Sequence, residues 1–212
     1  MKLTAEQAAT YREKFHVSRE SWDRLELYVN LLLQWQPRIN LIAPSTLPDL
    51  WERHVADSLQ LLGLLPHEHH VIADLGSGGG LPGMVLACAA NATVHMYESN
   101  GKKAAFLREA LRQTGAAGLV HQCRLEALQT KNDLPKVDVV SARALAPMDT
   151  LMKLAEPFLK HGAIGFFHKG QNLDAELTQA RKSWRIDCVQ HPSVIDSQSV
   201  VLEVRGVSRV KS

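Results

Sequence analysis

The stretch Asp74 to Gly83 reads DLGSGGGLPG, a set of residue types that can hold a ligand and not merely turn a chain. Glycines at 76, 78 and 80 leave the backbone bare where it must approach something closely, and glycine accepts positive φ. Val71-Ile72-Ala73 before the acid predicts a buried strand, and Pro82 suits the first position of a helix. Strand, glycine turn and helix start in that order make a site for a nucleotide-like molecule. A dinucleotide fingerprint would need G-x-G-x-x-G, but the residue three after Gly78 is Leu81 and the spacing is G-x-G-x-G. Glu98 closes the next apolar run at the distance expected of a ribose-binding carboxylate. Two placed acids suit a cationic nucleoside better than a pyrophosphate. S-adenosyl-L-methionine is therefore the expected cofactor, with Asp74, Gly76, Ser77, Gly78, Gly80 and Glu98 as candidate contacts.

Composition narrows the class around that site. The 212 residues are 45% hydrophobic, enough for one good core, and the net charge of +2 permits a polyanionic partner without requiring one. Cys88, Cys123 and Cys188 are far apart and lack C-x-x-C spacing, so they read as small buried residues in a reducing compartment. His67-Glu68-His69-His70 are consecutive and lack the i,i+4 spacing of a helical zinc site, so no metal is expected. Charges fall where a signal peptide needs its apolar core, and no apolar run has membrane-spanning length. The expectation is a soluble cytoplasmic protein, with no membrane association and no evident obligate protein partner.

The elements that must position the site follow in order. Thr4 and Gln7 have capping-box spacing, and Ser18 precedes a stripe of Trp22, Leu25, Val29 and Leu32. These two helices, ending before Pro37, make residues 1–50 an N-terminal helical extension packed on the core, leaving 51–212 as the main domain. Trp51, Val55, Leu59 and Leu62 form another helical stripe. Arg53, His54, Asp57 and Ser58 fall opposite it, where a solvated Arg53–Asp57 pair would contribute only a few tenths of a kcal/mol. The same helix, placed just before the glycine strand, could also bring these groups to the ligand. Further strands are expected at 92–98, 119–123, 137–141 and 163–168, with helices at 102–114, from Pro147, and at 173–184. Two short strands, near Ile186 and over 200–204, end the pattern. Alternation of this kind predicts an α/β fold: a Rossmann-like, mostly parallel sheet covered by helices on both faces. The last two strands leave no room for a crossover helix, so one should run antiparallel.

Ligands on such sheets lie at the C-terminal ends of the strands. That position nominates Leu125-Glu126, the segment Ser141 to Arg143, and His168-Lys169-Gly170 beside the glycine loop. Arg143 and Lys169 are the two cations on that rim.

With these residues assembled, the sequence resembles the bacterial small-subunit ribosomal RNA guanine-N7 methyltransferases, the RsmG or GidB family, from about residue 22 to 205. The resemblance is carried by Asn40-Leu41-Ile42, Arg53-His54 with Asp57-Ser58, the block 74–83, Glu98-Ser99, Arg143-Ala144 and Lys169-Gly170. The Leu-Pro-Gly after the glycines and the Arg-His-x-x-Asp-Ser helix make it specific. One departure is Ala142, which separates Ser141 from Arg143. The resemblance implies the class I S-adenosylmethionine-dependent fold and cofactor contacts at Gly76, Leu81, Glu98, Leu125, Glu126 and Arg143. It also implies 16S ribosomal RNA, or the small ribosomal subunit, as partner.

Guanine N7 carries a free lone pair, so its methylation needs no general base, and no Asn-Pro-Pro-aromatic or cysteine nucleophile motif is present. Arg143 and Lys169 are expected to position RNA phosphate or the guanine O6, with Arg53 and His54 as further RNA-binding candidates. Two alternatives stay open: a methyltransferase of this fold acting on a protein or small molecule, and a noncatalytic cofactor-binding ribosome-assembly factor.

Overall fold

The computed structural model describes residues 3–65, 70–130 and 133–210. Seven strands form one sheet in the order β3–β2–β1–β4–β5–β7–β6. They are β1 (His70–Leu75), β2 (Ala92–Tyr97), β3 (Gly118–His121), β4 (Val139–Arg143), β5 (Ile164–Lys169), β6 (Trp184–Pro192) and β7 (Val200–Arg209). The first five pair in parallel, and β7 lies antiparallel to both β5 and β6. The antiparallel return expected near the C-terminus is therefore present. The register sets Asp74 of β1 beside Ser141 of β4, which matters below.

The helices are α1 (Ala5–Lys14), α2 (Arg19–Ile39), α3 (Asp57–Leu59), α4 (Gly83–Ala89), α5 (Gly101–Thr114), α6 (Met148–Leu159) and α7 (Leu173–Ala180). One face of the sheet packs with α2, α4 and α5, the other with α6 and α7. Helix α4 is apolar all round because it lies between the sheet and α2, which leaves it no solvent face. The capping box at Thr4 forms as its spacing predicts.

Several boundaries differ from the expectation. Helix α2 runs through Pro37, since the chain closes it only at Asn40, which takes φ 44° and places its N–H on Gln36 O. The Gln36 side chain then accepts the Leu41 and Ile42 N–H groups at 2.8 and 3.0 Å, satisfying donors that leave the helix. At the other end, the helix expected over 173–184 stops at Ala180, and Trp184 opens β6. Trp184 is buried there, its indole N–H donates to Asp149 at 3.1 Å, and the Arg209 guanidinium lies 4.3 Å from its ring centroid. The last two strands have nine and ten residues and are not short, because each pairs along its whole length.

Candidate functional site

The glycine loop connects β1 to α4, and its residues divide into those that face protein and those that do not. Asp74 is fully buried beneath the loop, where Oδ1 accepts the Ser141 hydroxyl at 2.7 Å. Burial pushes its carboxyl up to about 6, against the pull of the Ser77 and Ser141 hydroxyls and the Gly83 amide. A β-carbon at Gly83 would lie 2.4 Å from Asp74 Oδ2, so glycine is required there to let α4 begin over the acid. Asp74 therefore braces the loop from below and presents no exposed atom to a ligand, a correction to its place among the cofactor contacts. Ser77 is also buried and donates to the Asp74 carbonyl at 3.0 Å. Gly80 (φ +92°) packs against Met84 and Leu107, so it too faces the protein.

Gly76 and Gly78 remain half-buried and form the outer surface of the loop. A side chain at Gly78 would meet only Gly76 O, at 3.7 Å. Leu145, delivered by a sharp turn in which Ala144 adopts φ 50°, rests against Gly76. From the opposite side α2 reaches in: the fully buried Tyr28 donates its hydroxyl to Gly79 O at 2.6 Å. The sequence stripe passes over this tyrosine, although position 28 lies three residues after Leu25 on the same face. Tyr28→Phe should destabilise the fold by about 1–2 kcal/mol, because a buried carbonyl loses its partner. A denaturant titration reads this, and an unchanged midpoint would remove Tyr28 as a loop brace.

Glu98 follows β2, and its carboxylate is the second half of the loop. Oε2 accepts the Gly78 N–H at 2.8 Å and Oε1 the Asn100 N–H at 2.6 Å. Each oxygen keeps one lone pair, so the carboxylate is held in place and still able to accept a ribose hydroxyl. Leu81 is half-buried beside the loop; Leu125 is buried and Glu126 exposed in the 3-10 turn Leu125–Thr130 after β3. Bare glycine backbone with a fixed carboxylate at its edge fits an adenosyl cofactor.

The rim of β4 and β5 carries the larger surprise. Residues Trp51–Ala56 form a wide π turn that runs into α3, held by stacking of Trp51 on Trp22 at 5.1 Å. Its polar side is not solvated: His54 and Ser58 are buried, and Asp57 pairs with Arg143 (Oδ2 to Nη1, 3.2 Å) instead of Arg53. Arg143 also donates from Nη2 to Arg53 O and to His54 Nδ1, both at 2.8 Å. Because arginine only donates, His54 Nδ1 must accept, so Nε2–H donates to Thr46 Oγ1 at 2.7 Å. Burial, reinforced by Arg143 and Arg53, drops this histidine to about 4 and keeps it neutral. His168 completes the cluster, its Nε2–H donating to the Asp57 carbonyl at 2.8 Å.

This clamp corrects two expectations. His54 is a neutral, doubly bonded side chain that cannot attract phosphate. Arg143 spends its guanidinium on the 53–57 turn and leaves no fork for an RNA phosphate. Arg53 stays exposed, and its guanidinium makes no ion pair among the described residues. Lys169 bonds Glu176 Oε2 at 2.6 Å and Ala146 O at 3.1 Å. Ser141, set off from Arg143 by Ala142, acts inward on Asp74.

These groups surround a cavity of about 780 Å³ at the ends of β4 and β5, next to the glycine loop through Leu145. Glu176, also on the cavity wall, lies one turn inside α7, and nothing in its spacing along the sequence points at the rim. Among the described residues no cluster of three or more His, Cys, Asp or Glu could hold a metal ion. His67, Glu68 and His69 lie outside the described residues, and His70 opens β1. No described helix is long and apolar enough to cross a membrane.

Residues 21–202 match the family model described as GidB, rRNA small subunit methyltransferase G. The chain belongs to this family. A ribosomal RNA small subunit methyltransferase G of Rhodopseudomonas palustris BisB18 is 51% identical over 211 residues, covering 97% of this chain and 88% of that protein. One from Bradyrhizobium ORS 278 is 50% identical over 197 residues, covering 91% and 88%. Among solved structures, an O-methyltransferase from Klebsiella pneumoniae, itself described as putative, superposes with TM-score 0.56 at 14% identity, covering 85% of this chain and 90% of that one. That likeness, with the strand order, gives the GidB-family chain the class I methyltransferase fold.

Proposed function

We propose that this chain transfers the methyl group of S-adenosyl-L-methionine to N7 of a guanine in 16S ribosomal RNA of the small subunit. The observation that carries the reading is a juxtaposition in a chain of this family: Leu145 lies between a loop fit for an adenosyl cofactor and a nucleotide-sized cavity, touching Gly76 and lining the cavity. Gly76, Gly78, Leu81, Glu98, Leu125 and Glu126 would hold the cofactor, with Asp74, Ser77, Ser141 and Tyr28 fixing the loop beneath it. The cofactor supplies an electrophilic methyl on a sulfonium. Its transfer to the N7 lone pair would form the N–C bond as the C–S bond breaks and would leave a neutral thioether and a cationic purine.

No proton leaves N7, so no side chain must act as base, and the absence of a motif that would supply one is consistent with the chemistry. What the residues contribute is alignment, which can account for several kcal/mol of barrier lowering. The Arg143 clamp serves that end by holding the 51–57 turn as the wall of the cavity. The 22 acids and 24 bases nearly balance, so RNA would be held by placed groups on the rim more than by overall field.

The test incubates the protein and radiolabelled S-adenosylmethionine with small ribosomal subunits from cells lacking the modification. Label is mapped by borohydride and aniline cleavage, which requires the cationic ring of an N7-methylated guanine. Cleavage at one guanine is expected. Cofactor binding with no label in RNA would overturn the reading in favour of an assembly role, and label in protein would favour another substrate class.

A further inference from the structure

We propose that Lys169 and Glu176 form a guanine-reading subsite in the cavity, with Glu176 as a specificity determinant; this rests on the methyl-transfer reading above. The two side chains line the cavity together, Lys169 at the end of β5 and Glu176 on α7. Their pairing leaves a defined remainder. Of three ammonium protons on Lys169, one goes to Glu176 Oε2 and one to Ala146 O, so one is left. Glu176 Oε2 is filled by that lysine and by the Met148 N–H at 2.9 Å, while Oε1 accepts no bond among the described residues. The cavity therefore presents one cationic donor beside one anionic acceptor. Both are held rigidly, since Met148 N–H belongs to the first turn of α6 and Ala146 to the loop before it.

Guanine offers the complement along one edge: the O6 acceptor, then N1–H and the N2 amino group as donors. Lys169 meets O6, and Glu176 Oε1 meets N1–H and the amino group. Adenine inverts the pattern, turning its N6 amino group toward the ammonium and its bare N1 toward the carboxylate. Both contacts are then repulsive, so the pair selects against adenine as well as for guanine. N7 flanks O6 on the side away from N1, so contacts made to O6 from the N1 side, to N1–H and to the amino group leave it unbonded. Reading by this edge leaves the reacting atom free, which the usual bidentate arginine contact to O6 and N7 would not. Using that edge requires the base to be unpaired, and a cavity of about 780 Å³ has room for an extruded nucleotide.

A merely structural ion pair tying α7 to β5 would affect all bases alike, and that difference supplies the test. Small subunits are reconstituted with guanine, inosine or N1-methylguanine at the mapped target. Inosine lacks only the N2 amino group. The unaltered protein should prefer guanine to inosine by about 10-fold in kcat/KM, the worth of one hydrogen bond to a charged acceptor. Glu176→Gln loses the charge and, with its carbonyl oxygen kept on the Met148 N–H, turns an NH2 donor toward the base in place of Oε1. It should lower transfer to guanine by about 10- to 100-fold and bring the guanine-to-inosine ratio near one, with S-adenosylhomocysteine affinity by calorimetry unchanged. An unaltered ratio in that variant overturns the subsite while leaving the transfer reading intact. No transfer to guanine by the unaltered protein would overturn both. Should the variant fail to bind S-adenosylhomocysteine, N1-methylguanine decides with the unaltered protein: its methyl group replaces the N1 proton, so retained transfer overturns the proposal and lost transfer supports it.

Discussion

Arg143→Lys should lower stability by about 2 kcal/mol and kcat/KM by about 10²-fold, although the charge is conserved. Arg143 is mostly buried and addresses the Asp57 carboxylate at 3.2 Å, Arg53 O and His54 Nδ1 at 2.8 Å, and more distantly His54 O at 3.5 Å. Those acceptors diverge around a planar fork. A single ammonium on a flexible stem reaches one or two of them and leaves the others buried without partners. The freed groups belong to the turn that walls the cavity, so a loss of order there moves the rim by the fraction of an ångström on which alignment depends. Denaturant unfolding and transfer kinetics on small subunits measure the two effects separately. A lysine variant with unchanged midpoint and kinetics would show that the guanidinium is incidental. A variant that loses only stability would reduce the clamp to a fold element.

How much of this arrangement could be read from residues alone depends on the range of the interaction concerned. Strand–turn–helix around the glycines, the alternation of later elements and the antiparallel return follow from local periodicity and short connections, and they are present in the structure. The position of Glu98 against the glycine loop was legible because its distance from the glycines along the chain is fixed by one βα unit. The rim was not. His54, Asp57 and Ser58 have the spacing of a solvated helix face, and only the approach of β4 and β5 from about 90 to 110 residues later buries them against Arg143 and His168. Asp74 shows the same limit in reverse. An acid before a glycine loop suggests a ligand contact, yet register with β4 sets Ser141 beside it and turns its carboxylate inward. Pro37 and Trp184 mark a third kind of limit, at boundaries: the first is carried by a helix end that Gln36 and Asn40 secure, the second drawn into the sheet by burial and Asp149.

Two buried groups of opposite sign give the fold a pH dependence that single substitutions should expose. Asp74 has its folded value raised from 3.8 to about 6, mainly by burial. The stability tied to its protonated form is fully present below the unfolded value and is lost as pH rises through the folded one, a change of about 3 kcal/mol. His54 has its folded value lowered from 6.5 to about 4, again mainly by burial. Here the unfolded chain binds the extra proton between those limits, so stability increases by about 3 kcal/mol as pH rises across them. In the unaltered protein the two slopes largely cancel between pH 4 and pH 6.5. Asp74→Asn keeps an acceptor for the Ser141 hydroxyl and removes one slope; its stability relative to the parent should rise by about 3 kcal/mol from acid to neutral pH. His54→Asn keeps an acceptor for Arg143 and removes the other, and its relative stability should fall by about the same amount over the same range. Urea unfolding of the three proteins at intervals across this range measures both differences. Curves that stay parallel would show that neither group changes its proton affinity on folding. One variant diverging alone would separate the acid under the glycine loop from the histidine behind the cavity wall, and would say which half of the site folding must desolvate.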